Sequence, residues 1–252
     1  MLQAIIWAAC GTLFTFSMTS LGAATVFLFT GEPHPRFRQA MLGFAAGVMT
    51  AASVWSLLLP AVERSTLMGI PGWLPSGAGL LAGAVFLSLM DLLLIRLQEA
   101  HRPFPGSHGS ALLTAAITLH NIPEGMAVGL AFALAAEGAH PAGAAALALG
   151  IGIQNFPEGA AISLPLRQEG CARRHAFVSG AMSGAVEPLF GILTVLFAAG
   201  TTPLMPWLLS FAAGAMLYVV AEELIPQAHS RTGTGGFLLG FLVMMTLDIA
   251  LG

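Results

Sequence analysis

Eight apolar runs, at roughly 3–29, 40–61, 75–96, 110–135, 142–164, 176–199, 203–226 and 236–251, dominate this chain. About 20 mostly apolar residues carry a helix across a bilayer, and lipid tolerates no unpaired backbone groups. Runs of this length and number describe an all-α membrane protein with eight transmembrane helices in one domain, 1–252. The breaks hold turn and polar residues, among them Gly31-Glu32-Pro33-His34-Pro35, Pro103-Phe104-Pro105-Gly106, Glu137-Gly138-Ala139-His140-Pro141 and Arg231 to Gly236. Composition agrees. Only 8% of the 252 residues are charged, against about 25% in a soluble domain. A net charge of −3 without a basic patch excludes a nucleic-acid partner, and two cysteines make no disulfide framework.

Every basic residue is an arginine, and the arginines set the orientation. Arg36, Arg38, Arg96, Arg102, Arg167, Arg173, Arg174 and Arg231 fall in odd-numbered loops, and only Arg64 falls in an even one. The odd loops are therefore expected in the cytoplasm and both termini outside. No basic residue precedes Arg36, so the first run reads as a retained span, not a signal peptide.

Two internal repeats stand out. Asn121-Ile122-Pro123-Glu124-Gly125 returns 34 residues later as Asn155-Phe156-Pro157-Glu158-Gly159. Phe44-Ala45-Ala46-Gly47-Val48-Met49 in span 2 returns as Phe211-Ala212-Ala213-Gly214-Ala215-Met216 in span 7. Spans 2 and 7 cross in opposite directions, so the second match reads as an inverted repeat of spans 1–3 and 6–8, a construction common in secondary transporters.

The polar residues inside the spans carry the chemistry. A carboxylate at mid-bilayer costs about 2.5–3.5 kcal/mol on insertion scales, yet Glu124, Glu158 and Glu187 all lie near span centres. His120 and Glu124 are four residues apart, on one helical face with Asn121; Gln154, Asn155 and Glu158 repeat the arrangement in span 5. Pro123 and Pro157 lack the N–H that would bond four residues back. Two facing helices with imidazole, carboxamide and carboxylate ligands make a divalent-metal site, and Glu187 on a third could bridge two ions.

These residues resemble the ZIP (Zrt/Irt-like) family of divalent-metal transporters, and the resemblance extends over all eight spans. His120-Asn121-Ile122-Pro123-Glu124-Gly125 matches its span-4 signature. Gln154, where many members have His, with Ser183-Gly184-Ala185-Val186-Glu187-Pro188, is similar to the GufA-like bacterial branch. The resemblance implies a binuclear site, with His120, Glu124, Gln154, Glu158 and Glu187 about one ion and Asn121, Asn155, Glu158 and Glu187 about the other. It adds Met49 as a thioether ligand, a homodimer, a 3+2+3 arrangement of spans and elevator-type alternating access. A multi-pass protein of the bacterial inner membrane follows, with lipid and divalent ions as partners. The metal is transported substrate and no cofactor serves as a catalyst.

The expected function is divalent-metal transport into the cytoplasm, zinc first, with iron, manganese, cobalt and cadmium also carried. Gln154 in place of His makes the ligand set harder and the selectivity broader. An intramembrane metal-dependent hydrolase is the alternative, but it lacks HExxH and a nucleophile beside His120. Glu222, Glu223 and His229 read as an exit path, with His229 seven residues beyond Glu222 and nearly on its face, and Asp248 as an entrance. Asp91 with Arg96, and Glu63 with Arg64, read as interfacial pairs. His101 and His108 flank the loop between spans 3 and 4 and are too few for a metal-collecting stretch.

Overall fold

An amide left free in lipid has no partner, so an apolar run must bond its backbone to itself. A computed structural model of the chain describes residues 1–29, 34–100, 109–198 and 201–251, and every regular element among them is helical. Contiguous elements join into eight rods: α1 (Leu2–Phe27), α2 (Pro35–Leu67), α3 (Trp73–Ala100), α4 (Gly109–Ala136), α5 (Pro141–Gln168), α6 (Arg173–Ala198), α7 (Met205–Ala228) and α8 (Arg231–Leu251). Among the described residues, six of the rods, α1, α2, α3, α6, α7 and α8, hold a segment long and apolar enough to cross a membrane. The chain is an all-α membrane protein. The loop holding His101 and His108 lies outside the described residues.

Several rods overrun their apolar runs. α2 starts at Pro35 and α8 at Arg231, where the sequence suggested a break as far as Gly236. Leaving the hydrocarbon removes the need for a helix, not the ability to form one. His34 caps α2, its Nδ1 accepting the Arg36 amide at 3.2 Å, with Pro35 in the first turn. Ser230 caps α8, its Oγ accepting the Gly233 amide at 3.0 Å.

The internal prolines act unevenly. α4 and α5 run unbroken through Pro123 and Pro157. The ladder changes instead in α2 and α7, which widen into π turns at Ser53–Leu58 and Val220–Leu224, just ahead of Pro60 and Pro226. Proline offers no N–H, and a π turn shifts the register of the carbonyls around it. α6 breaks at Gly184 and Ala185, so Glu187 sits in the first turn of its second half. A helix N-terminus favours a carboxylate there.

Lipid tails are as apolar as leucine, so membrane helices associate through small residues that let backbones approach. The buried stripe of α1 is Ala4, Ala8, Gly11, Thr12, Thr15, Thr19, Gly22 and Ala23, and this face packs against α5. α4 packs against α6, α2 against α8 and α3 against α7. Trp55 meets Phe241 edge-on at 5.5 Å in the α2–α8 seam, and Phe86 meets Phe211 at 5.4 Å in the α3–α7 seam. α1, α4, α5 and α6 enclose the polar residues.

Candidate metal centre

On α4, His120, Asn121 and Glu124 are buried within about one turn of each other. On α5, Gln154 and Asn155 are buried and Glu158 is half-buried. Glu187 on α6 is fully buried. The side chains bond across helices. Gln154 Nε2 donates to Glu124 Oε1 at 2.7 Å, and Asn155 Nδ2 donates to Glu187 Oε1 at 3.0 Å. Asn121 Nδ2 donates to the Ser183 carbonyl at 2.9 Å. His120 Nδ1 lies 3.2 Å from Glu223 Oε2. A proton held there leaves Nε2 with a free lone pair, the usual orientation of a metal-binding imidazole.

Glu124 and Glu187 are thus each tied at one oxygen and open at the other. Within this cluster six buried acceptors have no hydrogen-bond partner: His120 Nε2, Asn121 Oδ1, Glu124 Oε2, Gln154 Oε1, Asn155 Oδ1 and Glu187 Oε2. A buried acceptor without a donor is costly, about 1–3 kcal/mol each. Glu124, Glu158 and Glu187 lie within electrostatic reach of one another, and Glu158 of Glu223. Among the described residues no arginine is ion-paired with any of them. A cluster so rich in negative charge and lone pairs suits a cation.

Close approach of the backbones makes this possible. A Cβ on Gly125 would press into the Glu187 backbone, 2.7 Å from its Cα. A Cβ on Gly159 would overlap the Thr19 carbonyl. Among the described residues, no three His, Cys, Asp or Glu side chains alone are grouped to cage an ion. The carboxamides are interleaved with the carboxylates, and their NH₂ groups occupy one oxygen of each pair.

The other candidates are scattered. Met49 is fully buried in the main apolar cluster beside Ala45, Ala46 and Val48. Glu223 adjoins the centre through His120, while Glu222 is exposed. His229 is not on the Glu222 face: the π turn intervenes and the helix ends at Ala228. It lines a cavity of about 220 Å³ with Gly43, Ala46, Ala228 and Phe237. Asp248 is buried, accepting the Ser56 hydroxyl at 2.6 Å while Oδ2 stays unpartnered.

Two expected surface pairs rearrange. Asp91 lies beside Tyr218 and within electrostatic reach of Glu222. Arg64 pairs with Glu137 at 2.6 Å, not with its neighbour Glu63. In both cases packing brings a distant chain segment nearer than the sequence neighbour. Two residues of α1 that the sequence did not single out also reach the centre: Thr19 donates to Glu187 at 3.3 Å, and Thr15 lies within reach of the same carboxyl. Their signal was present as hydroxyls at helical spacing within an apolar run.

The fold and the centre together define a helical membrane protein that gathers an imidazole, carboxamides and carboxylates in its interior. The sequence pattern of the family described as ZIP Zinc transporter matches residues 98–248, and the chain belongs to that family. It is 36% identical to the zinc transporter ZIP11 of Homo sapiens, over 99% of this chain and 98% of the relative. It is 37% identical to the zinc transporter GufA of Myxococcus xanthus, over 96% and 97% respectively. With the zinc transporter ZIPB of Bordetella bronchiseptica it shares 36% identity, over 98% and 82%. The chain is a transporter and not an enzyme, which sets the hydrolase alternative aside.

Proposed function

We propose that this chain carries divalent metal, zinc foremost, into the cytoplasm through the centre on α4, α5 and α6. The observation that carries the reading is the set of six buried, unpartnered atoms that the centre's own side chains, His120, Asn121, Glu124, Gln154, Asn155 and Glu187, hold on those three helices. The names of its relatives, all zinc transporters, supply the ion. His120, Glu124, Gln154, Glu158 and Glu187 would hold one ion, and Asn121, Asn155, Glu158 and Glu187 a second, with Met49 as a thioether from α2. Binding one turns the Gln154 and Asn155 carboxamides so that oxygen, not NH₂, faces the cation. Such binding is modest, as passage requires. Imidazole and oxygen ligands without thiolate also admit iron, manganese, cobalt and cadmium.

All eight rods span the membrane in this reading, with both termini outside, as a homodimer in the bacterial inner membrane. The 3+2+3 inverted arrangement is supported by the packing. Exchanging spans 1–3 with 6–8, and 4 with 5, turns the α2–α8 seam into the α7–α3 seam and α1–α5 into α6–α4. The paired π turns of α2 and α7 follow the same exchange. Transport is by alternating access. Asp248 serves the entrance, and Glu223, in touch with His120, begins an exit path continuing through Glu222 and His229.

Zinc influx into liposomes loaded with a metal-sensitive dye tests this. The parent is expected to show flux and Glu158→Ala none; equal flux in both would place the pathway elsewhere.

A further inference from the structure

Glu187 is held by a helix that contributes none of the ligands named above. Thr12, Thr15 and Thr19 are the polar members of the buried stripe of α1, each fully shielded. The Thr19 hydroxyl lies 3.3 Å from Glu187 Oε1 and 3.3 Å from the Thr15 carbonyl, two acceptors for a single hydrogen. Thr15 shows the same duality. It donates to the Thr12 carbonyl at 3.0 Å and is also within bonding reach of the Glu187 carboxyl. Each hydroxyl therefore has a resting acceptor in its own helix and an anionic one across the seam. An ionised carboxylate draws the hydrogen more strongly than a peptide carbonyl does.

We propose that Thr19, backed by Thr15, is a positioning and selectivity residue that leaves Glu187 a single oxygen for the ion. Thr19 and Asn155 share Glu187 Oε1 in this structure, and Oε2 has no partner; once an ion turns the Asn155 carboxamide, Thr19 is the donor left on Oε1. A carboxylate so held offers one oxygen, Oε2, shared between the two ions, and chelates neither. That suits zinc, which takes about four ligands, and disfavours larger ions that fill their shells with bidentate carboxylates. The backbone at this point is fixed independently of the hydroxyl, because α5 packs at Gly159 against the Thr19 carbonyl. The inference rests on the metal-carrying reading of the centre.

The test compares Thr19→Val, which keeps the shape and removes the hydroxyl, with Thr19→Ser, which keeps the hydroxyl. Influx is measured in liposomes over a range of zinc and manganese concentrations, and zinc binding to purified protein by calorimetry. Thr19→Val is expected to raise the zinc KM and Kd about tenfold, the scale of one hydrogen bond to a charged group, with maximal rate little changed. Its manganese-to-zinc preference should rise several-fold, and Thr19→Ser should match the parent. Parental zinc KM and metal preference in Thr19→Val, or equal impairment of both variants, would overturn the proposal. Glu187→Gln is run alongside: full transport in it would indict the centre itself, whereas its loss beside an unaffected Thr19→Val sinks only the threonine role.

Discussion

The same five-residue motif occurs on α4 and α5, and its two copies live in different surroundings. On α4, Glu124 is fully buried and tied to Gln154, while Asn121 is spent on a backbone carbonyl, that of Ser183. On α5, Glu158 is half-buried and faces Glu223, while Asn155 holds the carboxylate of Glu187. Local sequence supplies identical ligands at identical spacing. The neighbours then give one copy a fully enclosed carboxylate, bonded at one oxygen with the other free, and leave the other copy's carboxylate half-exposed. A repeated motif can thus build a centre with an enclosed side and an accessible side, as a carrier requires.

Removing the two carboxylates probes that difference most strongly. Glu124→Ala and Glu158→Ala are both expected to abolish zinc influx. Only Glu124→Ala should also lower the melting temperature, because it strands the buried Gln154 amide at about 1–3 kcal/mol. Equal melting shifts would erase the distinction between the copies. The glycines come next. Gly125→Ala and Gly159→Ala should each reduce the yield of folded protein severely in size-exclusion profiles, since each Cβ would meet backbone of a facing helix. Gly77→Ala, with open space around it, should behave as the parent.

The asparagines should separate more gently. Asn155→Ala removes a ligand of the second ion and leaves Glu187 Oε1 to Thr19 alone, and is expected to raise the zinc KM about tenfold. Asn121→Ala removes a ligand of the second ion and also leaves the Ser183 carbonyl unpaired, so it should raise the KM and lower the melting temperature together; an unchanged melting temperature would erase this contrast with Asn155. The smallest effect is expected from Gln154→His, which makes α5 read like α4. It should keep transport while moving the zinc-to-manganese preference a few-fold toward zinc, measured by competition influx.

Much of this was legible in advance. The loop at Glu137 to His140, the burial of Glu124 and Glu187, and the convergence of α4, α5 and α6 on one polar cluster match the reading of the chain. Helix ends were less legible, because Pro35 and Arg231 begin helices in polar segments that hydropathy does not score. The partners of single side chains were least legible. Asp91 finds Tyr218, and Arg64 finds Glu137, across seams that no local pattern announces.

Hydropathy and the twin motif by themselves determined a helical membrane protein with carboxylates and carboxamides inside it. Each apolar run must satisfy its own backbone in lipid, so the constraint acts segment by segment and can be read segment by segment. Only tertiary structure decided which oxygen of Glu187 is tied and which is free. That depends on Thr19, 168 residues away in the chain, brought into contact by small residues whose only local trace is their size.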